Sequence, residues 1–200
     1  MKKLSILIIC FIVIFSVLVA GCSTTQTTTG TPALTTSSST TTVTSSGDTI
    51  LTVTKDNKTI TYTLADLENL PAITGWGGQS TMHGNAVSTQ YKGVAMSELL
   101  KAVGGMTDKN SLKVTAKDDY TRTLTFDQVV NGNFSVSDLS GNSVTPSKKP
   151  VLFVAYEQSG ASLDVDSGPV RLGIMTEQDQ LTGGDNWVKE LCKIEVISAQ

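Results

Sequence analysis

The folded part of this chain is predicted to be an α+β domain, in which short helices accompany a β-sheet. Two pairs of segments, within 50–63 and 112–126, are rich in β-branched or alternating apolar residues, as expected for β-hairpins. Two short segments, at 63–70 and 96–103, instead place apolar residues at helical spacing. The run at 151–156 is apolar without alternation, which is typical of a strand that is covered on both faces.

The first hairpin leads directly into a short helix. Its two strands, within 50–63, are separated by a polar turn at 56–58. Thr63 with Asp66 approximates a capping box, which predicts a helix that begins here and ends before Pro71.

Two longer segments without a clear period are predicted to be loops. The segment 72–90 is rich in Gly, Ser and Thr, and long ordered loops are often functional. The segment 131–149 is rich in Gly, Asn and Ser and follows a predicted helical turn at 126–130. The last strands are predicted to complete one sheet around the central run at 151–156, and they lie at 170–174 and 193–197.

Residues 1–22 have the pattern of an export signal that ends in a lipid attachment site. Lys2 and Lys3 precede an apolar run at 4–20, and the run closes on small residues before Cys22. The ending resembles the lipobox of bacterial lipoproteins, which implies that Cys22 is acylated and anchors the protein to the cell membrane. The alternative is an uncleaved signal anchor in which Cys22 is incidental. Either interpretation predicts a domain outside the cytoplasm.

A Ser/Thr-rich stalk at 23–47 is predicted to separate this signal from one folded domain at 48–200. The stalk has too few apolar residues to offset the entropy of ordering, so we expect it to be disordered. All 18 acidic residues lie at Asp48 or later, and the whole chain has a net charge of −3. A mildly acidic domain argues against nucleic acid as a partner.

Five short blocks occur in an order that resembles the molybdopterin-binding domain of the sulfite oxidase family. They are Tyr62-Thr63-Leu64-Ala65-Asp66-Leu67 with Leu70-Pro71, Tyr91-Lys92-Gly93-Val94 with Ser97-Glu98-Leu99-Leu100, Ala155-Tyr156-Glu157, Gly168-Pro169-Val170-Arg171-Leu172, and Trp187-Val188-Lys189 with Ile194-Glu195-Val196. The resemblance implies an α+β fold with a mixed β-sheet. It also implies a molybdenum–pterin cofactor that is held by loops around the sheet, with one cysteine thiolate on the metal.

The metal-ligating cysteine of that family has no counterpart here. In the family it lies between the Leu-Pro segment and the Tyr-x-Gly-Val turn, and the corresponding segment 72–90 contains no cysteine. A soft thiolate suits a molybdenum centre, and a hydroxyl or an imidazole does not replace it. Cys192 lies in the final block, where the family has a small or hydroxyl residue, so we interpret it as a buried, inert thiol and not as a ligand. No residue is therefore assigned as a metal ligand.

Three residues are candidates for cofactor or ligand binding. By resemblance, Arg171 and Lys189 match basic residues near the cofactor, and a guanidinium suits phosphate. The alternatives are a surface arginine paired with Asp164 or Asp166, and a solvated lysine. His83, the only histidine, lies in the segment where the metal would be and could act as a ligand or acid–base group. The alternative is that it has neither role, because a lone histidine needs carboxylates or thiolates beside it to build a metal site and the segment 72–90 contains none.

Two further features bear on the cofactor. The segment 175–179 contains two acidic residues where the family has a basic, Gly-rich loop, and acidic side chains there would repel a phosphate. Trp76 could form an aromatic lip over a pocket or pack on the neighbouring glycines.

These observations support two hypotheses, and neither assigns a catalytic residue. The first is a cell-surface lipoprotein that keeps the molybdopterin-binding fold and acts as a non-catalytic module for a ligand or protein of unknown identity. The second is a molybdopterin-dependent oxidoreductase that holds its cofactor without cysteine, through Arg171, Lys189 and the segment 72–90.

Overall fold

The structure is a computed structural model that describes residues 47–80 and 86–199. The predicted signal with Cys22, the stalk up to residue 46, and His83 lie outside these residues. The strands are β1 (Leu51–Lys55), β2 (Lys58–Tyr62), β3 (Ala72–Ser80), β4 (Val87–Ala95), β5 (Asn110–Ala116), β6 (Thr121–Thr125), β7 (Val136–Asp138), β8 (Ser143–Val144), β9 (Val151–Gln158), β10 (Ala161–Ser162), β11 (Arg171–Met175), β12 (Gln180–Gly183) and β13 (Leu191–Ser198). The helices are α1 (Leu64–Glu68), α2 (Met96–Ala102) and α3 (Phe126–Asn131), with a 3₁₀ turn at Gly184–Asn186.

The strands form two mixed sheets. One has five strands in the order β2-β1-β13-β5-β6, and the other has eight, ordered β10-β9-β4-β3-β12-β7-β8, with β11 paired to β9. Each sheet contains one parallel pair, β1 with β13 and β3 with β12, among antiparallel neighbours. The predicted α+β class with a mixed sheet is confirmed, but the prediction that one sheet contains all the strands is wrong, because β13 pairs with β1 and β5 and not with β9 or β11.

The packing of strand β9 explains why polar and apolar residues do not alternate in its sequence. Leu152, Val154 and Tyr156 face a large core that also contains residues of the five-stranded sheet and of helices α1 and α2. Phe153 and Ala155 point the other way, into a second apolar cluster. Both faces of the strand are therefore covered, as predicted.

The local predictions at the hairpins and helices are confirmed. The Thr63 hydroxyl caps α1 by accepting a hydrogen bond from the Asp66 backbone N–H. The Asp66 carboxylate in turn accepts a hydrogen bond from the Thr63 backbone N–H at 2.8 Å. Thr125 and Gln128 form a second capping box at α3. No helix within 47–80 or 86–199 is long and apolar enough to cross a membrane.

Two predicted loops contain strands. Residues 72–80 and 87–95 form the β3–β4 hairpin, so the predicted loop at 72–90 is wrong over most of its length. Glycine is required at some of these positions because adjacent backbone segments approach closely. A Cβ on Gly78, for example, would lie 2.8 Å from the carbonyl oxygen of Val87. The predicted loop at 131–149 likewise contains the small β7–β8 hairpin.

Candidate functional site

A polar cleft of about 250 Å³ opens beside strands β3, β4 and β11. It brings together Arg171 and Lys189, which lie 18 residues apart in the sequence. Its polar lining includes Gln79, Tyr91, Asp164, Ser167, Arg171 and Lys189.

The alternation of β11 directs Arg171 to this side of the sheet. Leu172 and Ile174 face the large core, whereas Met175 belongs to the second apolar cluster. Arg171 and Gly173 share the face of Met175, because successive side chains of a strand point to opposite faces. Arg171 pairs with Ala155 of β9, so a charged side chain starts a strand that is otherwise entirely apolar and buried.

The Arg171 side chain is buried, and no described residue forms an ion pair with it. Only 4% of the residue is exposed, and no hydrogen bond or ion pair to it is found within residues 47–80 and 86–199. Its guanidinium lies 5.0 Å from the ring centre of Trp187 and 5.9 Å from that of Tyr91. Burial lowers the pKa of Arg171 from its ordinary value, but a guanidinium stays charged in proteins. The aromatic contacts offset part of the desolvation cost, and Nε has no hydrogen-bond acceptor.

Two glycines make room for the Trp187 ring. A Cβ on Gly173 would lie 2.6 Å from this ring, and one on Gly77 would lie 3.0 Å from it. The indole N–H donates to the Thr182 hydroxyl at 2.8 Å, and both residues are buried. Trp187 is therefore fixed in one orientation, and it forms the apolar support under the guanidinium.

Tyr91 supplies a second wall of the cleft. Its ring lies 5.4 Å from that of Trp187 and 6.1 Å from that of Phe153, centre to centre. Burial is the main cause that raises the pKa of Tyr91, so the phenol is neutral at ordinary pH and its hydroxyl can donate a hydrogen bond.

Lys189 and Asp164 carry the remaining charges of the cleft. Val188 exchanges backbone hydrogen bonds with Leu172, at 2.8 and 3.3 Å, which places the following Lys189 beside β11. Lys189 is exposed to solvent and also lines the cleft. The two interpretations of this lysine, as a solvated side chain and as a residue beside the binding site, therefore do not exclude each other. Hydrogen bonding from Ser167 is the main cause that lowers the pKa of Asp164, and this carboxylate is ionised at neutral pH.

The expectation that Arg171 could be a surface arginine paired with Asp164 or Asp166 is wrong. The side chain is buried, and it forms no ion pair with either carboxylate. The reason is the alternation of β11, which turns Arg171 towards the aromatic cluster.

The acidic segment at 175–179 does not line the Arg171 cleft. Glu177 lines a different cavity, of about 440 Å³, together with Trp76 and Met175. Trp76 and the glycines beside it lie within strand β3, so there is no glycine turn on which the ring could pack. The Trp76 carbonyl also accepts a hydrogen bond from the Thr176 N–H at 2.8 Å. The carboxylate that shares the cleft with Arg171 is Asp164, one of the two that the sequence analysis considered as its partner.

Cys192 is half-buried on β13, so the expectation of a fully buried thiol is only partly met. Its Sγ lies 3.4 Å from the carbonyl oxygen of Thr115, and burial is the main cause that raises its pKa. A protonated thiol is a poor nucleophile and metal ligand. Cys192 lines a cavity that contains neither Arg171 nor Lys189.

Tyr91 and Trp187 are the site residues to which sequence reasoning gave no role, and Asp164 was named only as a possible ion-pair partner of a surface Arg171. Tyr91 and Trp187 occur in the quoted family blocks, so the aromatic beginning of each block was the available signal. Asp164 lies in a polar segment between two strands, and nothing in the sequence distinguished it from Asp166, which does not line the cleft. No cluster of three or more His, Cys, Asp or Glu side chains suited to a metal occurs in the described part of the chain.

Comparison with known proteins identifies the fold. The profile of a family described as "Oxidoreductase molybdopterin binding domain" matches residues 38–200. Among solved structures, the chain is similar to the sulfane dehydrogenase SoxCD from Paracoccus pantotrophus, with a TM-score of 0.53 and 15% identity. This match covers 74% of the present chain and 38% of the SoxCD chain, so the protein spans well under half of that chain. At such low identity the likeness concerns the fold alone. No curated protein matches the sequence.

Proposed function

Because the chain belongs to the oxidoreductase molybdopterin-binding domain family, we propose that it uses the cleft of this fold to bind a small anion, as a non-catalytic module at the cell surface. The observation that carries the proposal is the burial of Arg171, a cation that forms no ion pair with any described residue and whose Nε has no hydrogen-bond acceptor among them. Burying an unpaired charge is costly, and a bound anion would offset this cost. Lys189 adds a second positive charge to the same cleft.

The residues of this chain fit only one end of a molybdenum–pterin cofactor. Arg171 and Lys189 have the charge that a cofactor phosphate requires. The metal end lacks its thiolate, because the segment 72–90 contains no cysteine and Cys192 lies on β13, in the other sheet. This mismatch supports binding rather than redox catalysis. It also means that the activity named for SoxCD is not proposed for this chain.

The cleft size also favours a small ligand. A cavity of about 250 Å³ lies below the range of about 300–1,000 Å³ that is usual for sites of drug-sized molecules. The lining contains two cationic side chains and one carboxylate, so its net charge is +1 when all three are ionised. A small anion therefore matches both the volume and the charge.

The purified full-length chain provides the test. We expect molybdenum far below one equivalent by elemental analysis, even after expression in a host with a full pterin supply. We also expect sulfate, phosphate or small carboxylates to raise the melting temperature above that in chloride at equal ionic strength. Arg171→Ala should abolish this shift, whereas Arg122→Ala should keep it, because Arg122 pairs with Asp185 outside the cleft. Stoichiometric molybdenum, or a shift that Arg171→Ala leaves intact, would contradict the proposal.

We further propose that the domain is held outside the cytoplasm by a lipid on Cys22. The support is the n-region, the apolar run and the small residues directly before this cysteine. In membrane fractionation, Cys22→Ser should leave an unlipidated chain, whereas Cys10→Ser within the apolar run should keep the lipid. A Cys22→Ser chain with unchanged mass and unchanged membrane association would favour the uncleaved signal anchor.

A further inference from the structure

The cleft is lined by side chains of opposite charge. Arg171 and Lys189 can only donate hydrogen bonds, whereas the ionised carboxylate of Asp164 can only accept them. A ligand that contacts all three must therefore combine an anionic acceptor group with a donor group. A plain oxyanion satisfies the cationic side and leaves the carboxylate facing another negative charge.

Asp164 is not the counter-ion of Arg171. No nitrogen of Arg171 lies within 4.0 Å of this carboxylate, although the two charges are close enough to influence each other's pKa. Asp164 is instead positioned by its own segment, where the N–H groups of Ser167 and Gly168 donate to the Asp164 carbonyl oxygen at 3.1 and 3.0 Å. Both charges nevertheless line the same cleft.

Uncharged groups complete a surface suited to a small polar molecule. Gln79 on β3 and Gln158 on β9 also line the cleft, and each amide can donate and accept. The Tyr91 ring and the exposed Val87 provide apolar contact on the same lining. The lining therefore contains partners for a negative group, for a positive group and for a short carbon skeleton.

We propose that this cleft binds a small amino acid, with its carboxylate on Arg171 and Lys189 and its ammonium group on Asp164. The inference rests on the proposed anion-binding function and adds the chemical class of the ligand. Its defining contact is the one with Asp164, since the proposed anion site requires only the two cations. An ammonium group also relieves the repulsion that Asp164 would exert on a ligand of purely negative charge.

The experiment compares each amino acid with the acid that lacks its amino group. The twenty common amino acids are screened by thermal shift against the purified full-length chain, and each that binds is compared by calorimetry with its deaminated counterpart, for example alanine with propionate. We expect at least one amino acid to bind about tenfold or more tightly than its counterpart, because hydrogen bonds to charged groups are among the strongest. If no amino acid binds more tightly than its deaminated counterpart, the inference is wrong.

Two matched variants separate this inference from the proposed function. Asp164→Asn should weaken the amino acid about tenfold while binding of the deaminated acid is unchanged or improved. Asp166→Asn is the control, because this carboxylate lies in the same segment and does not line the cleft; it should change neither affinity. Equal effects of the two variants would overturn the amino-acid assignment and leave anion binding intact. Anion binding that survives Arg171→Ala would instead refute the proposed function itself.

Discussion

The guanidinium of Arg171 lies 5.0 Å from the centre of the Trp187 ring, although the two residues are 16 positions apart in the sequence. Cation–π contacts of this kind stabilise a buried cation by roughly 0.5–2 kcal/mol. The desolvation of a charge in a protein costs several kcal/mol, so the ring offsets only part of it. Without a ligand, the burial of Arg171 is therefore expected to lower the stability of the fold.

The first prediction concerns the stability of the ligand-free protein. Arg171→Met replaces the unpaired cation by an apolar chain of similar length, so we expect the free energy of unfolding to be unchanged or higher. Urea unfolding in chloride buffer measures it. Arg122→Met removes a half-buried arginine that pairs with the exposed Asp185 and donates to Asn186, and it should cost about 1 kcal/mol. A loss of more than about 2 kcal/mol on Arg171→Met would show that the aromatic contacts outweigh the desolvation cost.

The second prediction concerns the space that Gly77 leaves for the Trp187 ring. A Cβ on Gly77 would lie 2.9 Å from the carbonyl oxygen of Ile174 and 3.0 Å from the Trp187 ring. Gly77→Ala should therefore destabilise the protein by about 1–3 kcal/mol. Gly75→Ala on the same strand is the matched control, since its Cβ would meet only the flexible Met175 side chain, at 3.1 Å. Thermal unfolding compares the stability of the two variants. Equal losses of stability would contradict the conclusion that Gly77 is needed to make room for the Trp187 ring.

A third prediction tests the buried hydrogen bond between Trp187 and Thr182. Thr182→Val has nearly the same shape but leaves the indole N–H without an acceptor, which should cost about 1–3 kcal/mol. Thr182→Ser keeps the hydroxyl and should cost less. Near-ultraviolet circular dichroism reports the tryptophan environment, and urea unfolding gives the energy. If the serine variant is the less stable of the two, the methyl contact matters more than the hydrogen bond.

The fourth prediction compares the two capping boxes. Thr63 is buried and caps α1, whose Leu67 reaches the large core, whereas Thr125 caps α3, which has no buried residue. Thr63→Ala should cost about 1–2 kcal/mol, and Thr125→Ala should fall at the low end of the usual range, near 0.5 kcal/mol. Chemical unfolding measures both. A larger loss at Thr125 would mean that burial does not strengthen the cap.

The fifth prediction concerns acid stability. Hydrogen bonds from Asn131, Asn142 and Ser147 lower the pKa values of Asp127, Asp138 and Glu177 below their ordinary 3.8 and 4.5. Such groups bind protons more readily in the unfolded chain, so their contribution is fully present above about pH 5 and is lost as the pH falls through the lowered values. Urea midpoints should be constant from about pH 7 to pH 5 and then fall. Asp138→Asn should make this fall shallower; a midpoint that rises on acidification would reverse the assigned sign.

Local features of the fold followed from the sequence because they depend on neighbouring residues. The capping box of Thr63 and Asp66, the β1–β2 turn and the amphipathic helix α2 each involve residues a few positions apart. The apolar run of β9 also predicted its own burial. The resemblance of the five quoted blocks also predicted the family. The fourth block contains Arg171 and the fifth contains Lys189.

The tertiary structure decided where those residues lie. The Gly-rich β3–β4 hairpin has no strand pattern of its own, because its glycines satisfy close contacts with other strands and with Trp187. The burial of Arg171 likewise depends on the indole and on Gly173, which leaves space for that ring, and Asp164 enters the cleft from a separate segment. The sequence determined the local elements and the types of charged group. Only the long-range packing decided that Arg171 is desolvated and that it shares a cleft with Asp164 and Lys189, since that depends on residues distant along the chain.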